Sequence, residues 1–243
     1  AHQFAGMENL ALIPGSTGAS PMQNIGAYGV EIKDIFHSLT ALHIAENKLY
    51  RFNQEDCAFS YRESVFKHQH KGKFIITDVS FRLNKTPRFN TSYGAIQQEL
   101  ERMGVQDLSI AAIAQAVINI RSSKLPDWRK LGNAGSFFKN PVIDNAFFEN
   151  IKAKYPQVVS FPAGESKTKL AAGWLIEQCG WKGFRRGDAG CYEKQALVLV
   201  NYGGATGKEI FDLSTDIIKS VEDKFGVTLE REVNTPCPPK GET

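Results

Sequence analysis

A stretch rich in glycine and proline near the start of the chain limits what the sequence can fold into more than any other feature. Residues 14–29 read Pro-Gly-Ser-Thr-Gly-Ala-Ser-Pro-Met-Gln-Asn-Ile-Gly-Ala-Tyr-Gly, with four glycines and two prolines. Because this composition excludes regular structure, it predicts a long loop. Loops of this length are usually functional or disordered, and small residues interleaved with amides and a tyrosine favour ligand contact. The spacing is not Gly-x-Gly-x-x-Gly, so a Rossmann nucleotide fold is not predicted.

Hydrophobic patterning predicts a mixture of strands and helices. Strands are expected at 30–51, 74–83, 195–201 and 227–233. Helices are expected at 109–123, at 168–179 with Gly180 as its stop, and from the Thr206/Glu209 capping box to Phe225, with Gly226 after it. The first of these helices has Ser109 as its cap and presents one face made of Ile110, Ile113, Ala114, Val117, Ile118 and Arg121. Strands and helices do not alternate as βαβ units, so the predicted class is α+β.

Length and composition exclude several classes of protein. The 243 residues allow one large domain or two modest ones, and the break at Pro126 within 122–131 predicts a boundary. A net charge of +3 is too small for a nucleic-acid footprint, although a local basic pocket for an anionic small molecule is compatible with it. No apolar run approaches membrane-spanning length, and no secretion leader is recognised, so no membrane partner is expected.

Cysteine and histidine usage predicts neither disulfides nor a metal site. The four cysteines form no Cys-x-x-Cys pair, which predicts reduced thiols and a cytoplasmic location. They are Cys57, Cys179, Cys191 and Cys237. His68 and His70 lack a nearby carboxylate or thiol that would complete a ligand set, so no metal is predicted.

The segment 132–141 is the strongest candidate for chemistry. It reads Gly-Asn-Ala-Gly-Ser-Phe-Phe-Lys-Asn-Pro, so Ser136 lies between flexible residues and two phenylalanines that can anchor it in a core. The segment fits a ligand-site wall, and it equally fits a tight turn between a loop and a strand. No Gly-x-Ser-x-Gly elbow surrounds Ser136, so a hydrolase nucleophile is rejected. A positioned serine can still deliver a proton.

Other polar residues have ordinary structural readings beside functional ones. Arg62, after Tyr61, can fork onto a carboxylate or phosphate, or form a surface ion pair. Lys124 suits a helix end through the helix dipole. Glu232 can be an exposed strand carboxylate, and Gln195 can be a partner at the end of a strand ladder.

Several long motifs in a fixed order resemble the UDP-N-acetylenolpyruvoylglucosamine reductase family, flavoenzymes of bacterial peptidoglycan synthesis. The resemblance runs from residue 6 to about 233. Its anchors are 12–29, Tyr-Arg-Glu-Ser at 61–64, 121–126, 132–141, Lys-Leu-Ala-Ala-Gly-Trp-Leu-Ile at 169–176, and Gln-Ala-Leu-Val at 195–198. The 61–64 segment and the Tyr93-Gly94 loop resemble the form of the family that carries an additional substrate-covering loop.

The resemblance implies a fold and an activity. It implies the remainder of a flavin-binding domain (of the PCMH or vanillyl-alcohol-oxidase-like type) at 1–121, an α+β substrate-binding domain at 122–222, and a terminal strand and tail at 223–243 that return to the first lobe. The implied reaction uses FAD, with NADPH as hydride donor, to reduce UDP-N-acetylglucosamine enolpyruvate to UDP-N-acetylmuramate. A cytoplasmic monomer is implied.

The resemblance also implies residue roles. Ser136 corresponds to the family's proton donor, and Arg62 and Glu232 to residues that stabilise charge on the substrate carboxylate. Substrate-binding positions are Tyr61, Tyr93, Lys124, Asn140 and Gln195. Cofactor-binding positions are Ile13, Gly15, Ser20, Gln23, Asn24, Gly26, Ala27 and Arg121.

Two departures from the family pattern leave an alternative open. The family's N-terminal lobe with its Gly-rich pyrophosphate loop has no counterpart, so the chain is expected to be a fragment with weakened flavin binding. The family's Glu-Pro-Glu-Val-Arg is Glu-Arg-Glu-Val-Asn at 230–234, which puts Asn234 where a cation is expected. The alternative is a flavin-free nucleotide-sugar binding fragment without turnover. A different flavin oxidase of similar fold is disfavoured by the serine segment.

Overall fold

The computed structural model describes residues 3–235, which fall into two compact units. The first unit ends at Ser123 and the second begins at Lys124. Cys237 and the predicted tail beyond residue 235 lie outside the described residues. Each unit has its own hydrophobic core, and each is treated separately below.

The first unit contains two small antiparallel sheets and two helices. Its elements are β1 (Gly26–Ala27), β2 (Val30–Glu31), β3 (Phe36–His43), β4 (Lys48–Phe52), β5 (Phe74–Phe81), α1 (Gly94–Arg102) and α2 (Ile110–Lys124). Short 3-10 helices occur at Glu8–Leu10, Thr17–Ala19, Ile32–Asp34 and Val65–Lys67. Strand β1 pairs with β2, and the larger sheet has the order β4-β3-β5. This sheet holds the loop 14–29 from one side, because Gly18 lies against the main chain of Ile76 in β5.

Two apolar clusters stabilise the first unit. Leu39 and Ala41 of β3 are fully buried, together with Cys57 and the ring of Phe66. The second cluster lies between the two helices, where Ile96 of α1 packs with residues of α2. Burial of the large side chains, such as those of Leu39, Phe66 and Ile96, stabilises the unit by about 1.5–3 kcal/mol each.

Helix α2 confirms a predicted element but corrects its buried face. Its start is capped as expected, because the Ser109 hydroxyl oxygen accepts a hydrogen bond from the Ala112 N–H at 3.0 Å. The buried residues are Ile113, Ala116, Val117 and Ile120. The predicted members Ala114 and Ile118 are only partly buried, so the buried stripe is rotated from the predicted face.

The second unit contains two antiparallel sheets and three helices. Its elements are β6 (Gly132–Ser136), β7 (Val142–Asp144), α3 (Asn145–Lys154), β8 (Ser160–Pro162), β9 (Lys167–Leu170), α4 (Ala172–Gln178), β10 (Arg185–Arg186), β11 (Ala189–Cys191), β12 (Val198–Asn201) and α5 (Gly207–Phe225). The sheet orders are β10-β11-β12-β6 and β7-β9-β8. Helix α5 contributes fully buried Leu213, Ile217 and Val221 to the core of this unit. An α+β architecture is therefore present.

Helix α5 confirms its predicted ends. Thr206 accepts a hydrogen bond from the Glu209 N–H at 3.2 Å, and the Glu209 carboxylate accepts from the Thr206 N–H at 2.7 Å. Gly226 ends the helix in a left-handed conformation with φ +69°, which glycine adopts without a Cβ penalty. The helix crosses the boundary predicted at 222/223, and Val227 and Leu229 after it belong to the same core.

Three other element predictions need correction. The segment 30–51 is not one strand, because a turn at 44–47 separates β3 from β4. The predicted helix 168–179 begins only at Ala172, and its first residues belong to strand β9. The predicted strand 227–233 is an extended segment with a single bridge, between Arg231 and Phe138.

Candidate functional site

Ser136 is the last residue of strand β6, at the edge of its sheet. Its Cα is paired with that of Val198 in β12, next to a register shift. Ser136 is exposed, whereas Phe137 and Phe138 after it are 4% and 1% exposed. Before it, Gly135 has φ +75°. The phenylalanines thus anchor the segment as predicted, and the segment is a strand end rather than a tight turn.

The residues that follow Ser136 are held in a ladder from two sides. The Phe137 N–H donates to the Leu197 carbonyl at 2.7 Å, and the Phe137 carbonyl accepts from the Glu232 N–H at 2.8 Å. One step further, the Lys139 N–H donates to the Glu230 carbonyl at 2.9 Å. The main chain of Glu232 is therefore bound to Phe137, the residue next to Ser136, although the two segments are far apart in the sequence.

Lys139 adds a buried cation to this ladder. Lys139 is 6% exposed, and its ammonium group lies 2.5 Å from the Glu230 carboxylate. A buried ammonium is costly unless it is paired, so Glu230 holds the charge of Lys139 in place. The cation after Ser136 in the sequence is thus part of the support of the segment.

Asn140 and Gln195 both lie at the start of helix α4. The Asn140 side-chain oxygen accepts a hydrogen bond from the Ala172 N–H at 2.9 Å, which satisfies one of the free donors of the helix N-terminus. The Gln195 side-chain oxygen accepts from the Leu197 N–H at 3.3 Å, and a Cβ at Gly173 would lie 3.0 Å from that oxygen. Gln195 precedes β12 rather than opening it. Lys124 is an exposed residue at the end of α2.

The loop 14–29 has an unusual backbone. Three non-glycine residues in and beside it, Leu12, Asn24 and Tyr28, have φ values of +61°, +46° and +49°. The left-handed region costs such residues about 1–2 kcal/mol each, and residues with this strain cluster at functional sites. Gly15 has φ +108° with no atom within 4 Å of where its Cβ would lie, so its main chain is open to a neighbour.

The side chains of two predicted cofactor residues, Asn24 and Ser20, form hydrogen bonds within the first unit. The Asn24 side chain is fully buried; it donates to the Ser60 carbonyl at 2.9 Å and to Glu31 at 3.1 Å, and accepts from the Lys33 N–H at 3.0 Å. The buried Ser20 hydroxyl donates to the Thr17 carbonyl at 2.7 Å. These side chains hold the loop in place, and direct contact of Ser20 and Asn24 with a cofactor stays a prediction.

Arg62 is tied to the same loop. Its guanidinium donates to the Gly26 carbonyl at 2.6 Å, lies 3.7 Å from the Glu31 carboxylate and lies over the Tyr61 ring at 5.1 Å. Arg62 itself has φ +58°. A Cβ on Gly26 would lie 2.9 Å from the Arg62 guanidinium, so glycine is required at this close approach. Sequence reasoning missed Glu31, since nothing local pairs it with a residue 31 positions away.

Arg121 and Tyr93 contact residues at the two ends of the loop 14–29. The Arg121 guanidinium donates to the Leu12 carbonyl at 3.3 Å, and burial lowers its pKa from the ordinary value. Burial likewise raises the pKa of Tyr28, and the Arg121 charge opposes that rise. Tyr28 meets Tyr93 edge to face, with ring centroids 5.3 Å apart, and Tyr93 is 41% exposed. Tyr93 can therefore reach a ligand while resting on Tyr28.

The remaining predicted cofactor positions line the same stretch. Ile13 packs in part against the core, Gln23 is partly buried, and Ala27 pairs with Val30 between β1 and β2. The predicted positions thus occur in two groups, one in each unit. Arg62 belongs to the first group and Glu232 to the second, and their joint action on one charge stays a prediction.

The described part of the chain adds two further findings. Within residues 3–235, no three histidine, cysteine, aspartate or glutamate side chains come together as a metal-binding group. No helix among these residues combines the length and apolar character needed to cross a membrane. Cys57, Cys179 and Cys191 are free thiols, and burial raises the pKa of Cys57 and of Cys191 to about 12.

Comparisons with known proteins agree with these features. The family model described as UDP-N-acetylenolpyruvoylglucosamine reductase, C-terminal domain, matches residues 127–235. Proteins named UDP-N-acetylenolpyruvoylglucosamine reductase from Pseudomonas savastanoi pv. phaseolicola and Amoebophilus asiaticus are 52% and 54% identical over 231 residues. In both cases the match covers 95% of this chain and 68% of the relative.

A solved structure supports the fold. The UDP-N-acetylenolpyruvylglucosamine reductase of Thermus caldophilus matches with a TM-score of 0.62 and 22% identity, over 96% of this chain and 64% of that one. The chain therefore has a two-unit α+β fold of the class that this reductase represents, and spans about two thirds of the length of its relatives. It belongs to the UDP-N-acetylenolpyruvoylglucosamine reductase family.

Proposed function

We propose that the protein acts in the reduction of UDP-N-acetylglucosamine enolpyruvate to UDP-N-acetylmuramate, an oxidoreductase step of peptidoglycan synthesis. The observation that carries this proposal is Ser136, an exposed hydroxyl at a strand end that buried phenylalanines and a two-sided ladder hold in place. Family membership supplies the reaction class. The proposal places the protein in the cytoplasm as a monomer, and includes no metal, membrane or nucleic acid.

The loop 14–29 is the proposed binding site of the flavin ring. The open main chain at Gly15 and the close packing at Gly26 fit a flat ring that rests on backbone rather than on side chains. Ile13, Gln23, Ala27 and Arg121 would contact FAD, while Asn24 and Ser20 would hold the loop. FAD held there would supply the redox chemistry, which is the transfer of a hydride from NADPH to the β-carbon of the enolpyruvyl group.

The residues of the chain would do the remaining chemistry. Ser136 would donate its hydroxyl proton to the α-carbon, so that one hydride and one proton add across the double bond. Arg62 would stabilise the negative charge that develops on the substrate carboxylate, because a fixed guanidinium needs no reorganisation. Glu232, in its protonated form, would donate a hydrogen bond to the same group.

Substrate binding is proposed for residues around these groups. Lys124 offers a point charge for a diphosphate, and Tyr93 offers a ring that can stack on uracil. Tyr61 and the amide nitrogens of Asn140 and Gln195 would hold the sugar, since the amide oxygens already accept main-chain hydrogen bonds.

Ser136→Ala tests the proposed proton donor. The variant should reduce its flavin with NADPH at the normal rate and reduce substrate about 10²–10⁴-fold more slowly. Stopped-flow absorbance separates the two half-reactions in flavin-loaded protein. Ser160→Ala on β8 is the matched control and should change neither rate. Equal slowing of both half-reactions, or no slowing, would reject the assignment.

FAD titration discriminates the flavin-free alternative. Quenching of flavin fluorescence should saturate at one FAD per chain if the loop 14–29 is the seat of the ring. Absence of quenching, together with heat release on titration of UDP-N-acetylglucosamine, would favour a nucleotide-sugar binding role. Lys124→Ala and Tyr93→Ala should then weaken that heat signal, and if neither does, the substrate-site assignment is wrong.

A further inference from the structure

A three-residue receptor on helix α5 holds the side chain of Arg231. The Arg231 Nε donates to the Ser214 hydroxyl oxygen at 2.7 Å, and its Nη2 donates to the Thr215 hydroxyl oxygen at 2.5 Å. The guanidinium also lies over the Phe211 ring, 4.1 Å from its centroid. Positions 211, 214 and 215 are spaced i, i+3 and i+4, which places all three on one face of the helix.

The receptor is built for a planar, forked cation. Both hydroxyls donate to the Phe211 carbonyl, at 2.6 Å for Ser214 and 3.1 Å for Thr215, so their lone pairs point to the guanidinium. Ser214 is fully buried, and its oxygen is the acceptor for Arg231. Arginine suits this geometry because it offers two parallel donors and stacks on an aromatic face, whereas a lysine ammonium does neither.

The backbone at Arg231 lies between two ladder hydrogen bonds. Arg231 and Phe138 form an antiparallel bridge, closed on one side by Glu232 N–H to Phe137 carbonyl and on the other by Lys139 N–H to Glu230 carbonyl. The rest of segment 227–235 forms no strand. Arg231 is the one residue of segment 227–235 that forms a bridge, and its side chain binds that residue to α5.

We propose that Arg231 is a positioning residue for Glu232. By clamping the segment to α5, Arg231 keeps the Glu232 main chain on the ladder beside Ser136, and so fixes where the Glu232 carboxylate can act. This inference rests on the proposed function, because it takes Glu232 to stabilise charge on the substrate. It assigns to Arg231 a role inside the second unit, separate from any direct contact with the substrate.

Hydrogen exchange of the 243-residue chain tests the clamp without reference to activity. Arg231→Ala should speed exchange of the Glu232 and Lys139 amides about 10- to 100-fold, since a charged, forked hydrogen bond is lost. Thr215→Val removes one acceptor with little change of shape and should give a smaller acceleration. Arg231→Lys should lie between wild type and Arg231→Ala. Unchanged exchange in Arg231→Ala would overturn the clamp.

Arg186→Ala is the matched control. Arg186 also pairs with α5, through Asp216 at 2.8 Å, but lies on β10 and not on the terminal segment. Its removal should leave both amides and both half-reactions unchanged. Acceleration of the Glu232 amide in this control as large as in Arg231→Ala would show a general loosening of α5 and would overturn the assignment to Arg231.

Stopped-flow of the half-reactions tests the positioning. Arg231→Ala should slow substrate reduction about tenfold or more, with flavin reduction by NADPH unchanged. If Arg231→Ala loosens the amides without slowing substrate reduction while Glu232→Gln slows it, the positioning role is overturned. If neither variant slows it, Glu232 has no part in the reaction; the charge-stabilising role in the proposed function then fails, and the clamp remains a feature of the fold alone.

Discussion

Replacement of Gly26 by alanine tests the junction between the loop 14–29 and Arg62. The added Cβ would lie 2.8 Å from the Glu31 Cγ, 2.9 Å from the Arg62 guanidinium and 2.9 Å from the Val30 carbonyl oxygen. Carbon atoms in good contact are about 3.5–4.0 Å apart, so all three contacts are repulsive. The φ of Gly26 is not positive, and the penalty therefore comes from packing and not from the backbone conformation.

The expected cost follows from which neighbours can move. The carbonyl of Val30 belongs to the paired strand β2 and cannot rotate away, whereas the two side chains can move only by leaving their ion pair. Overpacking of this kind costs about 1–3 kcal/mol. Displacement of Arg62 would also break its 2.6 Å hydrogen bond to the Gly26 carbonyl, which is worth about 1.5–3 kcal/mol but is not additive with the first cost. We expect Gly26→Ala to destabilise the first unit by about 2–3 kcal/mol.

The thiol of Cys57 provides the assay. Cys57 is fully buried in the core of the first unit, and burial raises its pKa to about 12, so reaction with a thiol reagent requires opening. A loss of about 2–3 kcal/mol should speed its alkylation about 30- to 150-fold when opening is a rapid pre-equilibrium. Peptide mass spectrometry identifies the labelled cysteine, and tryptophan fluorescence reports on the second unit, which contains all three tryptophans.

Gly94→Ala is the matched control for this substitution. Gly94 is the first residue of α1, and no atom lies within 4 Å of where its Cβ would be. Since alanine favours helices over glycine by up to about 1 kcal/mol, the control should leave Cys57 labelling unchanged or slower. Labelling of Gly26→Ala within twofold of the wild-type rate would refute the close packing between Gly26, Glu31 and Arg62.

Three further predictions concern single groups. The hydrogen bond from Arg102 holds the pKa of Glu99 down to about 2. The stability that this bond gives to α1 is therefore complete above the ordinary pKa of 4.5 and is lost as the pH falls toward 2. In Glu99→Gln, the free energy of unfolding should depend less on pH in that window. Thr206→Ala removes the cap of α5 and should lower the free energy of unfolding by about 0.5–2 kcal/mol in urea titrations. In native protein at pH 8, iodoacetamide should label partly buried Cys179 before buried Cys191, and the opposite order would contradict the burial of Cys191.

Local signals in the sequence were enough to predict α5 and α2. The capping box at Thr206 and the stop at Gly226 lie within the helix ends themselves, and Ser109 caps α2 in the same way. The turn at 44–47 escaped prediction because it contains neither glycine nor proline, and Asn47 with φ +50° is its one local mark. Residues 168–170 of strand β9 were assigned to the following helix because Lys-Thr-Lys-Leu is too short and too polar to show a strand period, and only its pairing with β7 and β8 decides.

Some features of the candidate site could likewise be predicted from the sequence, and others could not. Ser136 and its anchoring phenylalanines were predictable, since glycine, serine and two aromatic residues are adjacent in the sequence. The partners of Arg62 and the receptor of Arg231 were not, because Glu31 and Ser214 are remote along the chain and carry no local pattern. Pairings of this kind depend on tertiary packing, which composition and periodicity do not encode.

The structure around Ser136 resolves a conflict between access and order. The proton-donor role proposed for Ser136 requires a hydroxyl that substrate can reach and that is fixed to within a fraction of an ångström. Exposed residues at strand ends usually fray. Here fraying would have to expose Phe137 and Phe138, each of which gains about 1.5–3 kcal/mol by burial, and would break the hydrogen bonds on both sides of Phe137. On the other side, Gly135 has no atom within 4 Å of where a Cβ would lie, which leaves room for a ligand. Order therefore comes from the residues after Ser136 and access from the residue before it; a bulky residue at position 135 would close that space and would also strain a backbone with φ +75°.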